Sequence, residues 1–201
     1  MYADMQRDGT GETDELHITI AKQSFETAID LNRESGIAWL GIARCERLLK
    51  NFDIAKEALD RASRLLEGES SVYAESALLA LDIGDLVEAN QLIEAAAVGL
   101  EDTALIAYLR GNLDCMNGNF ISARNHFDDV LERHDPLHVR ARLNRIAASL
   151  ALGLHDSALD DCRILLEQAP KLTLAKCRMA DVLMLVTNWN PAKQLWTEIL
   201  E

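Results

Sequence analysis

Two histidines and two aspartate pairs have types and spacings that could support chemistry. His134 and His138 lie four residues apart, the spacing that lets two imidazoles on one helical face bind zinc. Pro136 lies between them and is expected to interrupt the helix that such a pair needs. The carboxylate pairs Asp128-Asp129 and Asp160-Asp161 fall in amphipathic stretches, where we interpret them as solvated surface. We therefore predict neither a metal site nor a catalytic residue here.

The cysteines show neither a CxxC motif nor paired spacing: Cys45, Cys115, Cys162 and Cys177. Each lies inside a predicted helix, and we interpret all four as small buried residues in a reducing compartment. The sequence has no phosphate-binding glycine loop and no nucleophile elbow, so we expect neither an enzyme nor a cofactor. Because it has no signal-like segment and no run of about 20 apolar residues, we expect a cytoplasmic protein that does not insert into a membrane.

The composition is that of a folded, acidic protein. Hydrophobic residues make up 49% of the 201 residues, which is enough to form a buried core. The net charge of −13 makes attraction to nucleic acid or to an anionic membrane unfavourable. We therefore expect no nucleic-acid partner.

Six alanines, which we call the marker alanines, recur at intervals of 34, 34, 34, 35 and 34 residues. They are Ala21, Ala55, Ala89, Ala123, Ala158 and Ala192. Four residues after each marker stands Phe25, Leu59, Ile93, Phe127, Cys162 or Trp196. A small residue in such a position lets two antiparallel helices approach closely. A period of this length with two helices per unit is typical of a helical repeat array.

The residue five positions before a marker alanine falls in the turn between the two helices of a unit. It is a glycine at Gly84, Gly118 and Gly153, as expected where a helix ends in the left-handed conformation. Lys50 and Thr187 hold the same position in two other units, and we expect those turns to be less favourable.

These units resemble the tetratricopeptide repeat family. The pattern is carried by Trp39, Ile42, Ala43, Phe52, Ala55, Leu59 and Ala62, then by Tyr73, Ala77, Gly84, Ala89, Ile93 and Ala96, and then by Gly111, Gly118, Phe120, Ala123 and Phe127. The resemblance implies an all-α fold, a right-handed superhelical solenoid of antiparallel helix pairs with about five full repeats after a leading helix. It also implies a concave groove, lined by the first helix of each pair, that binds peptides or protein segments without catalysis.

The period predicts one solenoid domain over residues 13–201, preceded by a flexible lead-in over residues 1–12. The lead-in is polar and contains Gly9 and Gly11, which favours a frayed segment. The domain is expected to consist of a half repeat at 13–35 and full repeats at 36–69, 70–103, 104–138, 139–172 and 173–201.

The groove should be lined by the residues 18, 15, 14 and 11 positions before each marker alanine. The candidate peptide-binding residues are Leu40, Arg44, Leu78, Leu105, Tyr108, Leu109, Asn112, Arg140, Leu143, Asn144, Leu174 and Arg178. An apolar set with a few polar groups suits an amphipathic helix or an extended segment of a partner. In the alternative interpretation, some of the leucines pack between neighbouring units.

One subset resembles the carboxylate clamp of family members that hold a C-terminal carboxylate. Asn112, Asn144 and Arg178 match the clamp, whereas Tyr108 and Leu174 stand where the family carries basic residues. A clamp without two of its cations would have lost much of its attraction for a carboxylate. Ordinary polarity of a groove is the alternative interpretation of the three matches.

The chain ends at Glu201, inside a predicted helix whose apolar residues are Trp189, Leu195, Trp196, Ile199 and Leu200. No capping helix follows in the sequence, and a solenoid end normally needs a polar cap. Three interpretations stay open: the sequence is part of a longer protein, the helix forms a homodimer, or the exposed face is tolerated.

We predict a protein–protein interaction module, such as a scaffold, an adaptor or a chaperone-like domain, that binds a protein or peptide segment. The alternatives are the repeat region of a larger enzyme, for example a transferase, and a self-assembling structural repeat protein. Binding that depends on the groove residues would favour the first, and a longer reading frame would favour the second.

Overall fold

A computed structural model describes residues 11–100, 103–170 and 172–200, with side chains from residue 15 onward. These ranges contain eleven α-helices. They are α1 (Gly11–Leu31), α2 (Gly36–Leu48), α3 (Phe52–Leu65), α4 (Ser70–Ile83), α5 (Leu86–Leu100), α6 (Ala104–Met116), α7 (Phe120–Asp129), α8 (Val139–Ala151), α9 (His155–Gln168), α10 (Thr173–Leu185) and α11 (Trp189–Leu200). The predicted all-α fold of packed helix pairs is confirmed. Residues 1–10 of the predicted lead-in lie outside the described residues.

The marker alanines explain why the helices pair. In the five second helices, α3, α5, α7, α9 and α11, all of them are buried: Ala55, Ala89, Ala123, Ala158 and Ala192. The residue four positions later fills the space beside the first helix. The Phe127 ring, which is fully buried, lies so close to Gly111 on α6 that no larger residue fits there without a shift. Small residues and large neighbours thus hold each pair together by close packing.

One residue in each turn between paired helices adopts the left-handed backbone conformation. Gly84, Gly118 and Gly153 do so with φ between 72° and 84°. A Cβ at any of the three would meet nothing within 4 Å, so backbone conformation alone favours glycine. Lys50 and Thr187 adopt the same conformation, with φ of 65° and 61°, although it costs an L-residue roughly 1–2 kcal/mol.

A π-helical turn, Val130–His134, absorbs the one residue by which the third repeat exceeds the others. Second and following first helices begin 18 residues apart at Phe52 and Ser70, but 19 apart at Phe120 and Val139. The turn continues α7 and ends with the amide of Asp135 donating to the carbonyl of Val130 at 2.8 Å. A single inserted residue is the usual origin of such a turn, and it accounts for the 35-residue interval.

The chain forms two compact units, Gly11–Leu109 and Arg110–Glu201, which we call unit 1 and unit 2. The core of unit 1 includes Ile42, Ala43, Ala55, Ala58, Leu59, Ala62, Val72 and Leu79. The core of unit 2 includes Ile146, Ala158, Leu159, Cys162, Leu165, Leu172, Ala175, Val182, Leu183 and Ala192. The extent of a single domain over residues 13–201 stays a prediction.

Candidate peptide-binding surface

Two of the candidate polar residues of unit 2 are joined by a hydrogen bond. Nδ2 of Asn144 on α8 donates to Oδ1 of Asn112 on α6 at 2.7 Å. Both side chains are half-buried, so one edge of the pair faces solvent. Each asparagine amide has two N–H donors and a carbonyl acceptor, and this bond uses only one donor and part of one acceptor. The pair therefore keeps donors and acceptors for a ligand.

The equivalent positions in unit 1 hold an ion pair instead. Arg44 and Glu75 stand as many residues before their marker alanines as Asn112 and Asn144 do. Nε of Arg44 donates to Oε2 of Glu75 at 3.0 Å, and Glu75 is only 2% exposed. Because Arg44 is bound to an internal carboxylate, its charge is largely compensated within the protein.

Two further residues complete this unit-1 ion cluster, which consists of Arg44, Arg47, Glu75 and Asp82. Nε of Arg47 donates to Glu75 at 2.7 Å, and Nη1 donates to Asp82 at 2.8 Å. Burial by itself would lower the pKa of Arg47, but the charge of Glu75 and the hydrogen bonds to both carboxylates outweigh it and raise the pKa. The arginine thus stays charged inside the protein.

The unit-2 ion cluster consists of Arg142, Arg145, Asp161 and Asp128. Nε of Arg145 donates to Asp161 at 2.8 Å, and its Nη1 donates to Asp128 at 2.6 Å. Nη1 of Arg142 donates to Asp161 at 3.1 Å. Asp161 is 2% exposed and Asp128 is half-buried, so the prediction that these aspartates are solvated surface was wrong. Asp161 lies on the inner face of α9, beside Cys162, where two arginines reach it.

The remaining candidates of unit 1 are mostly covered by the protein itself. Leu109 is fully buried and so cannot contact a ligand in this structure. Leu40 packs against the core of unit 1. Leu78, Leu105 and Tyr108 are half-buried. The burial of Leu40 and Leu109 supports the alternative in which some of the leucines serve internal packing.

In unit 2, α10 presents the most accessible candidates. Leu174 is 41% exposed, and Arg178 stands one helical turn after it on the same face. Nη1 of Arg178 lies 3.8 Å from Asp181, and both side chains are more than 40% exposed. Leu143 packs against the core of unit 2, and Arg140 is half-buried on α8.

Residues that could have done chemistry contribute to the fold instead. His138 caps α8, because its Nδ1 accepts a hydrogen bond from the backbone amide of Ala141 at 3.0 Å. All four cysteines are free thiols, and burial raises the pKa of Cys45 to about 11 and that of Cys162 to about 12. Among the described residues, no group of three or more His, Cys, Asp or Glu side chains could hold a metal ion. None of the described helices is both long and apolar enough to cross a membrane.

The last helix, α11, is only partly covered. Leu195 packs against the core of unit 2, and Trp196 and Ile199 are half-buried. Trp189 and Leu200 are exposed. Self-association through this helix stays a prediction.

The family model of the tetratricopeptide repeat matches residues 16–64 and 108–172, more than half of the chain. The chain belongs to the tetratricopeptide repeat family. This fold supports a protein-interaction module, with proteins or peptides as its partners. No curated protein matches the chain in sequence.

Three crystal structures of similar proteins show the same fold. The APC/C hetero-tetramer Cut9-Hcn1 matches with 20% identity and a TM-score of 0.82, over 94% of this chain and 37% of that one. YrrB, a TPR protein with an unusual peptide-binding site, matches with 18% identity and a TM-score of 0.58, over 90% and 92%. The human IFIT1 dimer with m7Gppp-AAAA matches with 18% identity and a TM-score of 0.81, over 92% and 45%. The chain thus spans less than half of the first and third proteins.

Proposed function

We propose that this tetratricopeptide repeat chain binds an extended segment of a partner protein along the first helices of unit 2. The observation that carries the proposal is the hydrogen bond between Asn112 and Asn144, which leaves amide donors and an acceptor at a half-buried, solvent-facing position. An extended segment has backbone N–H and C=O groups that such amides bind. Leu174 supplies an exposed apolar contact on α10.

Arg178 is the cation that we expect to favour acidic peptides. Its ion pair with Asp181 is long and exposed, and such pairs contribute little to stability. Arg178 is therefore available to a carboxylate of the ligand. Arg145 is not, because Asp161 and Asp128 already bind its guanidinium. We expect a weak preference for a free C-terminal carboxylate, weaker than in a clamp that has all of its cations.

The test measures binding of the purified chain to short peptides that are matched in sequence and end in either a free carboxylate or an amide. Asn144→Ala should weaken binding of both forms about tenfold, because it removes a hydrogen-bonding amide from the site. Arg178→Ala should weaken binding of the free acids only. The matched control is Arg163→Ala on α9, where the exposed arginine pairs with Asp160, and it should bind like the parent chain.

Equal binding by the parent chain and a folded Asn144→Ala variant would disprove the proposed site. If every peptide of the set failed to bind while the chain formed higher oligomers, the self-assembling alternative would gain support. The alternative of a repeat region within a larger enzyme predicts that binding does not depend on Asn144 or Arg178. Circular dichroism melting of each variant separates loss of binding from loss of folding.

A further inference from the structure

A hollow of about 550 Å³ lies in unit 2 outside the candidate groove residues. It is bordered by α7, by the turn between α8 and α9, by the start of α9 and by the end of α10. We call it the Arg124 hollow, and its lining includes Arg124, Leu154, His155, Asp156, Ser157 and Val186. The proposed peptide-binding function uses none of these residues.

Two buried nitrogen atoms in the hollow have no hydrogen-bond partner among the described residues. They are Nε of Arg124 and Nδ1 of His155. Arg124 is bound through Nη2, which donates to Oγ of Ser157 at 3.2 Å. Because buried polar atoms are nearly always hydrogen-bonded, two unpaired atoms in one hollow point to a missing partner. A guanidinium has donors only, so the missing partner of Arg124 is an acceptor.

The donors in the hollow fit an oxyanion. The Nε–H of an arginine points in the same direction as one N–H of its terminal nitrogens, and together they bind the two oxygens of a carboxylate or a phosphate. The Ser157 hydroxyl oxygen accepts from Arg124, so its own hydrogen is free to donate to the same ligand. His155 supplies a third donor in the tautomer that carries its proton on Nδ1.

Charge and shape narrow the ligand class. The carboxylate of Asp156 lines the same hollow, so the hollow has no net charge while His155 is neutral. A doubly charged phosphate is therefore less favourable than a singly charged carboxylate, all the more on a chain with a net charge of −13. Leu154 and Val186 offer apolar walls for the methylene groups of a side chain. We propose that the Arg124 hollow is a second binding site, which takes the carboxylate of an acidic side chain of a partner protein.

Acetate is a suitable probe, because it carries this carboxylate alone. Nuclear magnetic resonance of the ¹⁵N-labelled full chain would follow the Nε–H signal of Arg124 and the backbone amides of residues 155–157. Sodium acetate would be added with sodium chloride adjusted to constant ionic strength. We expect shifts that saturate in acetate, and weaker shifts in phosphate. Arg124→Gln should weaken acetate binding about tenfold, whereas Arg163→Gln, which removes an exposed arginine of α9, should leave it unchanged.

Shifts that do not saturate, or that persist unchanged in Arg124→Gln, would overturn the site. Tighter binding of phosphate than of acetate would overturn the carboxylate assignment. If Arg124→Gln does not fold, Arg124→Lys provides the same test, since it keeps the charge but lacks the Nε–H group. Asn144→Ala should bind acetate like the parent chain, so failure of this site and failure of the proposed peptide groove can be told apart.

Discussion

Unit 1 and unit 2 each bury a carboxylate that binds two arginines, but they place it in different parts of the repeat. In unit 1, Glu75 lies on the first helix α4 and binds arginines of the preceding first helix, α2. In unit 2, Asp161 lies on the second helix α9 and binds arginines of α8, the first helix of the same pair. A cluster between first helices occupies positions that a groove ligand needs. A cluster within a pair leaves those positions free, as at Asn112 and Asn144.

The largest expected effect is the loss of stability when either buried carboxylate is neutralised. Glu75→Gln and Asp161→Asn keep the side-chain shape but leave buried arginines without their main counter-charge. Each should lower the free energy of unfolding by about 3–5 kcal/mol, as is typical when one partner of a buried ion pair is removed. Urea unfolding measures this loss, with fluorescence of Trp39 reporting on unit 1 and that of Trp189 and Trp196 on unit 2.

Asp160→Asn is the matched control, because the neighbouring carboxylate is 68% exposed and its ion pair with Arg163 is a surface pair. It should change the free energy of unfolding by less than about 0.5 kcal/mol. If Asp161→Asn were as mild as this control, the unit-2 ion cluster would not be buried as described. Glu75→Gln should in addition release Arg44, and only this variant should then bind acidic peptides at a new position in unit 1.

Most of the fold could be predicted from the sequence, because a period of 34 residues constrains every helix pair at once. The buried marker alanines and the left-handed turn residues follow from that period. The buried carboxylate of unit 2 was missed because Asp160 and Asp161 were interpreted as one exposed pair. The sequence did contain a signal: Asp161 stands three residues after its marker alanine, where Ala58 and Leu92 stand in other repeats.

The predicted groove was only partly recoverable for a similar reason. Distance from a marker alanine predicts which helix face a residue shares, but it does not predict which side chains bind each other. Arg44 was a good candidate by position, yet its carboxylate partner lies in the next repeat. Arg142 stands where Trp39 and Tyr73 stand in earlier repeats, so a polar pair has replaced apolar packing in that repeat. Such pairing depends on side-chain geometry across two helices.

A smaller difference between the units is expected at two glycines that face phenylalanine rings. A Cβ added at Gly111 in unit 2 would lie 2.5 Å from the ring of Phe127, and one added at Gly41 in unit 1 would lie 2.5 Å from the ring of Phe25. Phe127 is fully buried and cannot move away, so Gly111→Ala should lower the free energy of unfolding by about 1–3 kcal/mol. Phe25 is half-buried on α1 and can turn aside.

Gly41→Ala should therefore change the free energy of unfolding by less than about 1 kcal/mol, because the gain in helix propensity offsets the mild crowding. Thermal melting of the two variants measures the difference directly. Equal losses at the two positions would mean that α1 confines Phe25 as tightly as the helices of unit 2 confine Phe127.

The smallest expected difference concerns the two turns that lack glycine. Thr187 in unit 2 is β-branched and left-handed, so Thr187→Gly should raise the free energy of unfolding by about 1 kcal/mol. Lys50→Gly in unit 1 should gain less, because Lys50 lies 3.8 Å from Asp82 and over the ring of Phe52, contacts that glycine loses. Gly153→Ala, whose Cβ meets nothing within 4 Å, should have the opposite sign. Thermal melting would rank the three, and a stabilising Gly153→Ala would show that backbone strain does not govern these turns.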